Sequence, residues 1–470
     1  MMDHDKLESV LAERLPGFGK LLVCERLTAG ASRETYRLAV QADGADRLLC
    51  LRRAPGEGES AMKQGPGLDI EARLFAAARQ AGVPGPEVFF SLEPDDGLGS
   101  GFVMEWLTGE TLGPRIARSP DFAAVRKSLA RQCGEILAKL HRIDLGAARL
   151  DDDLESFTPE HAVRKTHAAY LDLETPQPMI DFTAMWLLDN LPPKKRKLAL
   201  VHSDFRNGNL MVDPAKGIVA VLDWELAHIG DPMRDLGWLC TRSWRFGVPQ
   251  KPVGGFGDYD ELIEGYESVS KQKVDRSVLK FWEVFGSFWW AVGCLSMAQS
   301  WREGKETSLE RPVIGRRSSE CQIDCVNLLI PDWARRPGPD IRSLSTTELP
   351  RSDELLAGVR DFLRDVAAKK LEGRDGFLAR VAANSVDIVL RELALGVDAE
   401  AWERQALFGL LGPSEAPTGD LRAALCAASR AGDMDPRRQD LRAYLRDSVL
   451  AQVMIDQPGY AGAVECLSRS

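Results

Sequence analysis

The feature that most constrains this chain is a set of polar residues at fixed spacing between short apolar runs. Val201 leads into His202-Ser203-Asp204-Phe205-Arg206-Asn207-Gly208-Asn209, followed by Leu210-Met211-Val212, a turn at Asp213 to Lys216, and a second run from Gly217 to Leu222 that ends in Asp223. Apolar runs separated by turn residues predict a hairpin. An ordinary hairpin explains Asn207-Gly208 and Asp213-Pro214 as turn dipeptides. It does not explain why His202 and Asp204 follow an apolar strand directly.

His202, Asp204 and Asn209 have the spacing H-x-D-x-x-x-x-N of a phosphoryl-transfer loop, in which the Asp accepts a hydroxyl proton and the Asn holds a metal ion. A second metal-binding acid is expected after the next strand, where Asp223 stands. The residue types suit the chemistry. ATP carries about four negative charges, so transfer of its γ-phosphoryl calls for Mg²⁺ on phosphate oxygens and one or two hard oxygen ligands from the protein. Asp223 and the Asn209 amide oxygen meet that need, and Asp204 would orient the attacking hydroxyl.

At these residues the chain resembles the aminoglycoside phosphotransferase family of small-molecule kinases, a branch of the protein-kinase fold. Asp223 is followed by Trp224-Glu225, as in that family, and Gly230-Asp231-Pro232-Met233-Arg234-Asp235-Leu236 resembles its next segment. There a buried acid, matched by Asp235, braces the catalytic loop. The similarity runs from roughly residue 20 to 330 and is close to a subgroup that includes kinase-like domains fused to some acyl-CoA dehydrogenases. It implies ATP as phosphoryl donor, Mg²⁺ as cofactor and a small-molecule hydroxyl as acceptor.

The resemblance implies N-terminal parts as well. Cys24 to Leu27 and Glu34 to Val40 read as strands around Thr28-Ala29-Gly30-Ala31-Ser32-Arg33, where backbone N–H groups at Gly30 and Ser32 would approach phosphates. Only Gly30 stands where protein kinases have three glycines. Arg52, after the run Leu48 to Leu51, falls where the family has a basic residue contacting the phosphates, and would present a planar fork. Glu71, on a predicted helix, is its expected carboxylate partner. Phe102 to Leu107 is a strand matching the hinge, whose backbone at Glu105 and Leu107 would bind adenine. The Leu140-His141 pair ends a predicted helix over 122–140, with Leu129, Cys133, Ile136 and Leu137 on one stripe.

Composition sets outer limits. The 470 residues, 44% hydrophobic, are enough for two or three domains with a sizeable core. A net charge of −10 argues against nucleic acid as the main partner. The polar start predicts no signal peptide, and no apolar run is long enough to span a membrane. Nine cysteines, mostly single in apolar segments, suit a reduced, cytoplasmic protein.

The fold class that the resemblance implies is α+β: a bilobal protein-kinase-like fold, followed here by an all-α domain. The N-lobe is assigned to 1–108 and the helical C-lobe to 109–334, with acceptor-site helices over 150–197 and 243–310. The acidic run Asp151 to Asp153 reads as a solvated loop and the aromatic stretch Phe281 to Trp290 as core. Proline and glycine after Arg335 predict a linker over 335–351. Apolar residues at helical spacing, including Leu355, Val359, Phe362, Phe377, Ile388, Val389 and Leu393, predict a helical domain over 352–470 that covers the kinase, self-associates or binds a partner. Two functional classes follow: an ATP-dependent kinase of a metabolic alcohol or hydroxyacyl compound, favoured over an aminoglycoside, or a nucleotide-binding pseudokinase that acts as a scaffold through its tail. Arg52 in place of Lys and the poor glycine turn are the features that fit the second.

Overall fold

A computed structural model describes residues 2–29, 33–54, 66–193, 197–330 and 352–468. Two compact units divide the chain: residues 1–158 with 193–283, and residues 159–192 with 284–470. The expected 335–351 linker lies outside the described residues. These units cut across the expected 109–334 lobe, because the inserted helices over 159–192 and the stretch from 284 onward belong with the C-terminal helices.

The first unit begins with the helix His4–Arg14, capped by Asp3, for which the sequence pattern carried no expectation. A five-stranded antiparallel sheet follows: β1 (Phe18–Ala29), β2 (Glu34–Ala42), β3 (Ala45–Ala54), β4 (Val88–Ser91) and β5 (Ser100–Glu105), in the order β1-β2-β3-β5-β4. Period-2 alternation drives one face, with Leu38, Val40, Leu49, Leu51 and Val103, onto Leu7, Val10 and Leu11 of the N-terminal helix. The neighbour of Val103, Phe102, points the other way. It meets Phe75 of the helix Leu68–Gln80 with ring centroids 6.0 Å apart.

Four short strands then frame the polar loop. β6 (Ala199–Val201) pairs with β9 (His228–Gly230), and β7 (Leu210–Asp213) pairs with β8 (Gly217–Val221) in the expected hairpin. The helix Ala123–Leu140 packs against Tyr259–Ser270 at very close range. A Cβ at Gly134 would lie 2.2 Å from the Leu262 carbonyl oxygen, so no larger residue fits that crossing. Gly237 likewise lets the helix Met233–Cys240 approach Trp282, whose Cβ would be 2.5 Å from any side chain placed there.

The second unit is helical. Every residue of Ser318–Leu329 except Leu328 is buried, which an amphipathic surface helix could not show. Its covering comes from the C-terminal helices: Tyr460 donates to Asp324 at 2.7 Å, Asn327 donates to the Gly462 carbonyl at 3.0 Å, and Ser319 donates to Asp456 at 2.7 Å. The helix Pro178–Asp189 carries Asp181, fully buried between His167 at 2.8 Å, Tyr170 at 3.1 Å and Arg430 at 2.9 Å. Of the apolar positions expected in this tail, Ile388 is buried, whereas Leu355, Val359 and Phe362 are more than half exposed. Of the aromatic stretch expected to be core, Phe281 and Trp282 of the first unit and Phe285 and Phe288 of the second are buried, whereas Trp289 and Trp290 are half-buried. Among the described residues no helix is long and apolar enough to cross a membrane.

A chain ending at residue 345 would keep Ser318–Leu329 and Pro178–Asp189 but lose their partners. The fragment should aggregate or melt far below the full chain, because a contiguous apolar surface becomes exposed. Thermal unfolding of both, with light scattering, checks this; an equally stable monomeric fragment would overturn it.

Candidate active site

The site lies within the first unit and is built around one buried carboxylate. Asp235, on the first turn of Met233–Cys240, accepts the backbone N–H of His202 at 2.9 Å and of Ser203 at 2.7 Å, and His141 Nε2 lies 3.0 Å from its Oδ2. His141 is held in turn by Tyr266, 3.1 Å away. Burial alone would raise the Asp235 carboxyl, yet the hydrogen bond from His141, its charge and the His202 N–H hold it below its usual value. The two backbone bonds stabilise a loop in which Ser203 has φ of 67°, a conformation that costs a non-glycine residue about 1 kcal/mol or more.

His202 is buried with its ring 4.6 Å from that of Trp224. The Asp204 N–H donates to His202 Nδ1 at 3.2 Å. A backbone amide can only donate, so the proton of the neutral ring is on Nε2, which reaches the Leu222 carbonyl at 3.1 Å. Burial pushes this imidazole below its usual value.

The Asp204 carboxylate is next. Its Oδ1 accepts from Arg206 Nε at 2.9 Å and from Trp238 Nε1 at 2.8 Å, and its Oδ2 accepts from Asn209 Nδ2 at 2.5 Å. Asn209 Nδ2 also donates to the Asp204 carbonyl at 3.0 Å, which aims the amide nitrogen inward and leaves the amide oxygen for a cation. The Asn209 carbonyl takes the Leu222 N–H at 2.8 Å, so the hairpin brings the residue before Asp223 against the end of the loop. Asp223 itself has φ of 65°, a second strained residue at the same place.

Asp223 connects the hairpin to the sheet. Arg52 Nη2 on β3 donates to its Oδ1 at 3.0 Å, and Arg52 Nη1 lies 2.9 Å from Glu71 Oε1, an ion-pair approach without hydrogen-bond alignment. Glu71 is fully buried, and burial raises its carboxyl despite Arg52 and Arg33. Burial acts to lower the Arg52 guanidinium, but Glu71 and Asp223 raise it on balance. Arg33 adds a second cation: its Nη1 lies 2.9 Å from Glu71 Oε2 and 3.3 Å from Glu225 Oε2. Burial and the Asp223 charge raise Glu225. Three carboxylates thus meet two guanidiniums, which leaves a negative excess suited to a cation.

Among the described residues no group of three or more His, Cys, Asp or Glu side chains is placed to hold a metal by itself. Mg²⁺ does not need one, since it takes one or two protein oxygens and completes its shell with phosphate and water. Asp223, one-third exposed, and the Asn209 amide oxygen fit that donor set.

At the hinge, Glu105 pairs with Leu49 and its N–H is used by the Glu87 carbonyl at 2.8 Å, while the Trp106 N–H goes to Leu48 at 3.3 Å. Glu105 and Leu107 are half-buried at the end of this edge. Gly30 and Ser32 lie outside the described residues. The structure brings Asp204 and Asn209 together in one set of contacts and Asp223, Arg52 and Glu71 in another, the two joined through the Leu222 N–H on the Asn209 carbonyl. Arg33, Arg206, Trp238 and Glu225 join these sets without being anticipated. Arg206 and Glu225 had a signal, each standing two residues after a proposed site acid; Arg33 and Trp238 reach the site only through packing.

A family model described as "Phosphotransferase enzyme family" matches residues 23–271. The chain belongs to that family. A second model, "Domain of unknown function (DUF6285)", matches residues 369–460. Acyl-CoA dehydrogenase family member 11 of Rattus norvegicus is 29% identical over 398 residues, 77% of this chain and 48% of that protein. Acyl-CoA dehydrogenase family member 10 of Mus musculus is 29% identical over 260 residues, 52% of this chain and 22% of that protein. The chain therefore spans less than half the length of these relatives. The solved structure of a candidate aminoglycoside phosphotransferase from Ralstonia eutropha superposes with a TM-score of 0.58 at 22% identity, covering 70% of this chain and 98% of that one, a likeness of fold. The protein-kinase-like fold that the resemblance implies is present.

Two stability predictions follow from the buried groups. Asp235→Ala leaves two backbone N–H groups and His141 without their acceptor and should destabilise the protein by about 3 kcal/mol, measurable by urea unfolding. His202 is held neutral in the folded state, so the unfolded chain binds more protons below about pH 6.5 and stability falls as the pH drops through that value. Unfolding at pH 7 and pH 5 should show the loss, and His202→Gln should shrink it.

Proposed function

We propose that this phosphotransferase is an ATP-dependent kinase that moves the γ-phosphoryl group to a hydroxyl of a small metabolic alcohol or hydroxyacyl compound. The observation that carries the reading is the chain Glu71–Arg52–Asp223, which joins a helix, the sheet and the hairpin through two contacts of 2.9 and 3.0 Å. Arg52 so placed sets its positive charge beside Asp223, where the phosphates would lie, and the hinge edge at Glu105 and Leu107 would face the base.

Asp223 and the Asn209 amide oxygen would hold Mg²⁺, which when bound draws negative charge from the phosphate oxygens. Asp204 orients the acceptor hydroxyl and takes its proton as the acceptor oxygen bonds to the γ-phosphorus and the bond to the ADP oxygen breaks. Arg33 and Arg52 stabilise charge on the phosphates, and His202 and Asp235 keep the loop rigid. A metabolic acceptor is favoured over a cationic antibiotic for two reasons. Arg206, itself a cation, borders Asp204, and Asp153 of the acidic run is engaged by Arg73 at 2.7 Å. The matched relatives bear the name of acyl-CoA dehydrogenases, which agrees with a hydroxyacyl compound.

Screening a metabolite panel for phosphate incorporation from ATP tests the reading. Asp204→Ala should lower kcat by at least ~100-fold with little change in ATP affinity, because its contact matters in the transition state. Asp223→Asn should cut turnover comparably and weaken the response to Mg²⁺. Tight ATP binding without turnover in any assay would favour the pseudokinase instead.

A further inference from the structure

We infer that Trp238 and Arg206 are positioning residues that saturate one oxygen of Asp204 and so select the other, Oδ2, to receive the acceptor proton. The inference rests on the kinase reading above.

A carboxylate oxygen has two lone pairs in its plane. Oδ1 of Asp204 has both engaged, one by the Trp238 indole at 2.8 Å and one by Arg206 Nε at 2.9 Å. Among the described residues Oδ2 takes a single donor, Asn209 Nδ2, which leaves it one lone pair. The donors are themselves fixed. Trp238 is buried and sits three residues after Asp235 on Met233–Cys240, so one helix face holds both the backbone of the loop, through Asp235, and the side chain of Asp204. The Arg206 guanidinium lies over the Trp244 ring at 4.4 Å, and Trp244 meets Trp238 edge-on at 5.0 Å. The two donors are therefore braced against each other and converge on one atom.

The consequence is directional. As the acceptor oxygen bonds to the γ-phosphorus and the bond to the ADP oxygen breaks, the hydroxyl proton passes to the open lone pair of Oδ2. Rotation of the carboxylate, which would misplace that lone pair, requires breaking both hydrogen bonds on Oδ1 and the one from Asn209 on Oδ2, each of them charge-assisted by the carboxylate.

The test uses the full chain and Mg-ATP hydrolysis, in which water takes the acceptor's place. Trp238→Phe keeps the ring and removes the N–H; Arg206→Met keeps the stem and removes the fork; Arg206→Lys retains a donor. Trp238→Phe and Arg206→Met should each lower kcat about ten- to hundredfold, the loss expected for one hydrogen bond to a charged group. The Kd for Mg-ATP by calorimetry should stay within about twofold, and Arg206→Lys should recover part of the rate. Unchanged kcat in both variants, where the wild type turns over and Asp204→Ala does not, overturns the inference and leaves the kinase reading standing. Loss of kcat together with Mg-ATP affinity in Arg206→Met, the more exposed position, makes the role structural and also overturns it. A wild type without Asp204-dependent turnover removes both.

Discussion

The arrangement of the site depends on the burial of one carboxylate. Asp235 is removed from water and could not remain charged there without donors, and the donors it finds are the backbone N–H groups of His202 and Ser203 and the ring of His141. That requirement ties three segments together: the helix ending at Leu140, the helix Met233–Cys240, and the loop after β6. The strain at Ser203 is tolerated because these bonds over-determine the backbone. With the loop fixed, Asp204 and Asn209 are fixed.

Charge balance organises the opposite side. Glu71, Asp223 and Glu225 against Arg33 and Arg52 form an alternating network in which no carboxylate is far from a guanidinium and the sum is still negative. Buried pairs of this kind contribute little net stability once desolvation is counted. Their value here is geometric: Arg52 can bridge Glu71 and Asp223 only if the sheet, the helix Leu68–Gln80 and the hairpin are all in place. The charges of the site are thereby ordered by the fold itself.

The second unit follows a different rule. Ser318–Leu329 and Pro178–Asp189 carry polar residues that are buried, among them Asp181, Asp324 and Asn327, and each is bonded to a side chain or carbonyl supplied by the C-terminal helices or by a neighbouring inserted helix. Helices like these cannot be stable alone. Segments that sequence order assigns to a catalytic lobe are thereby made part of a helical body that also holds the C-terminal helices.

The polar loop was legible in the sequence because the spacing H-x-D-x-x-x-x-N lies within one piece of local structure. Asp204 to Asn209 is one loop, and Asp223 follows by the length of a hairpin. Arg52 and Glu71 were legible for a similar reason, one at the end of an apolar strand and the other on an apolar-faced helix. The donors on Asp204 Oδ1 were not, since Trp238 reads as one more aromatic in a helix and becomes a hydrogen-bond donor only when the tertiary fold sets that helix beside the loop. The same holds for Arg33, whose contacts with Glu71 and Glu225 span 38 and 192 residues of chain. The compact units were hidden too: a proline-rich stretch signals a break in local pattern, but which helices share a core is decided by side chains meeting across long separations, and no local pattern encodes that.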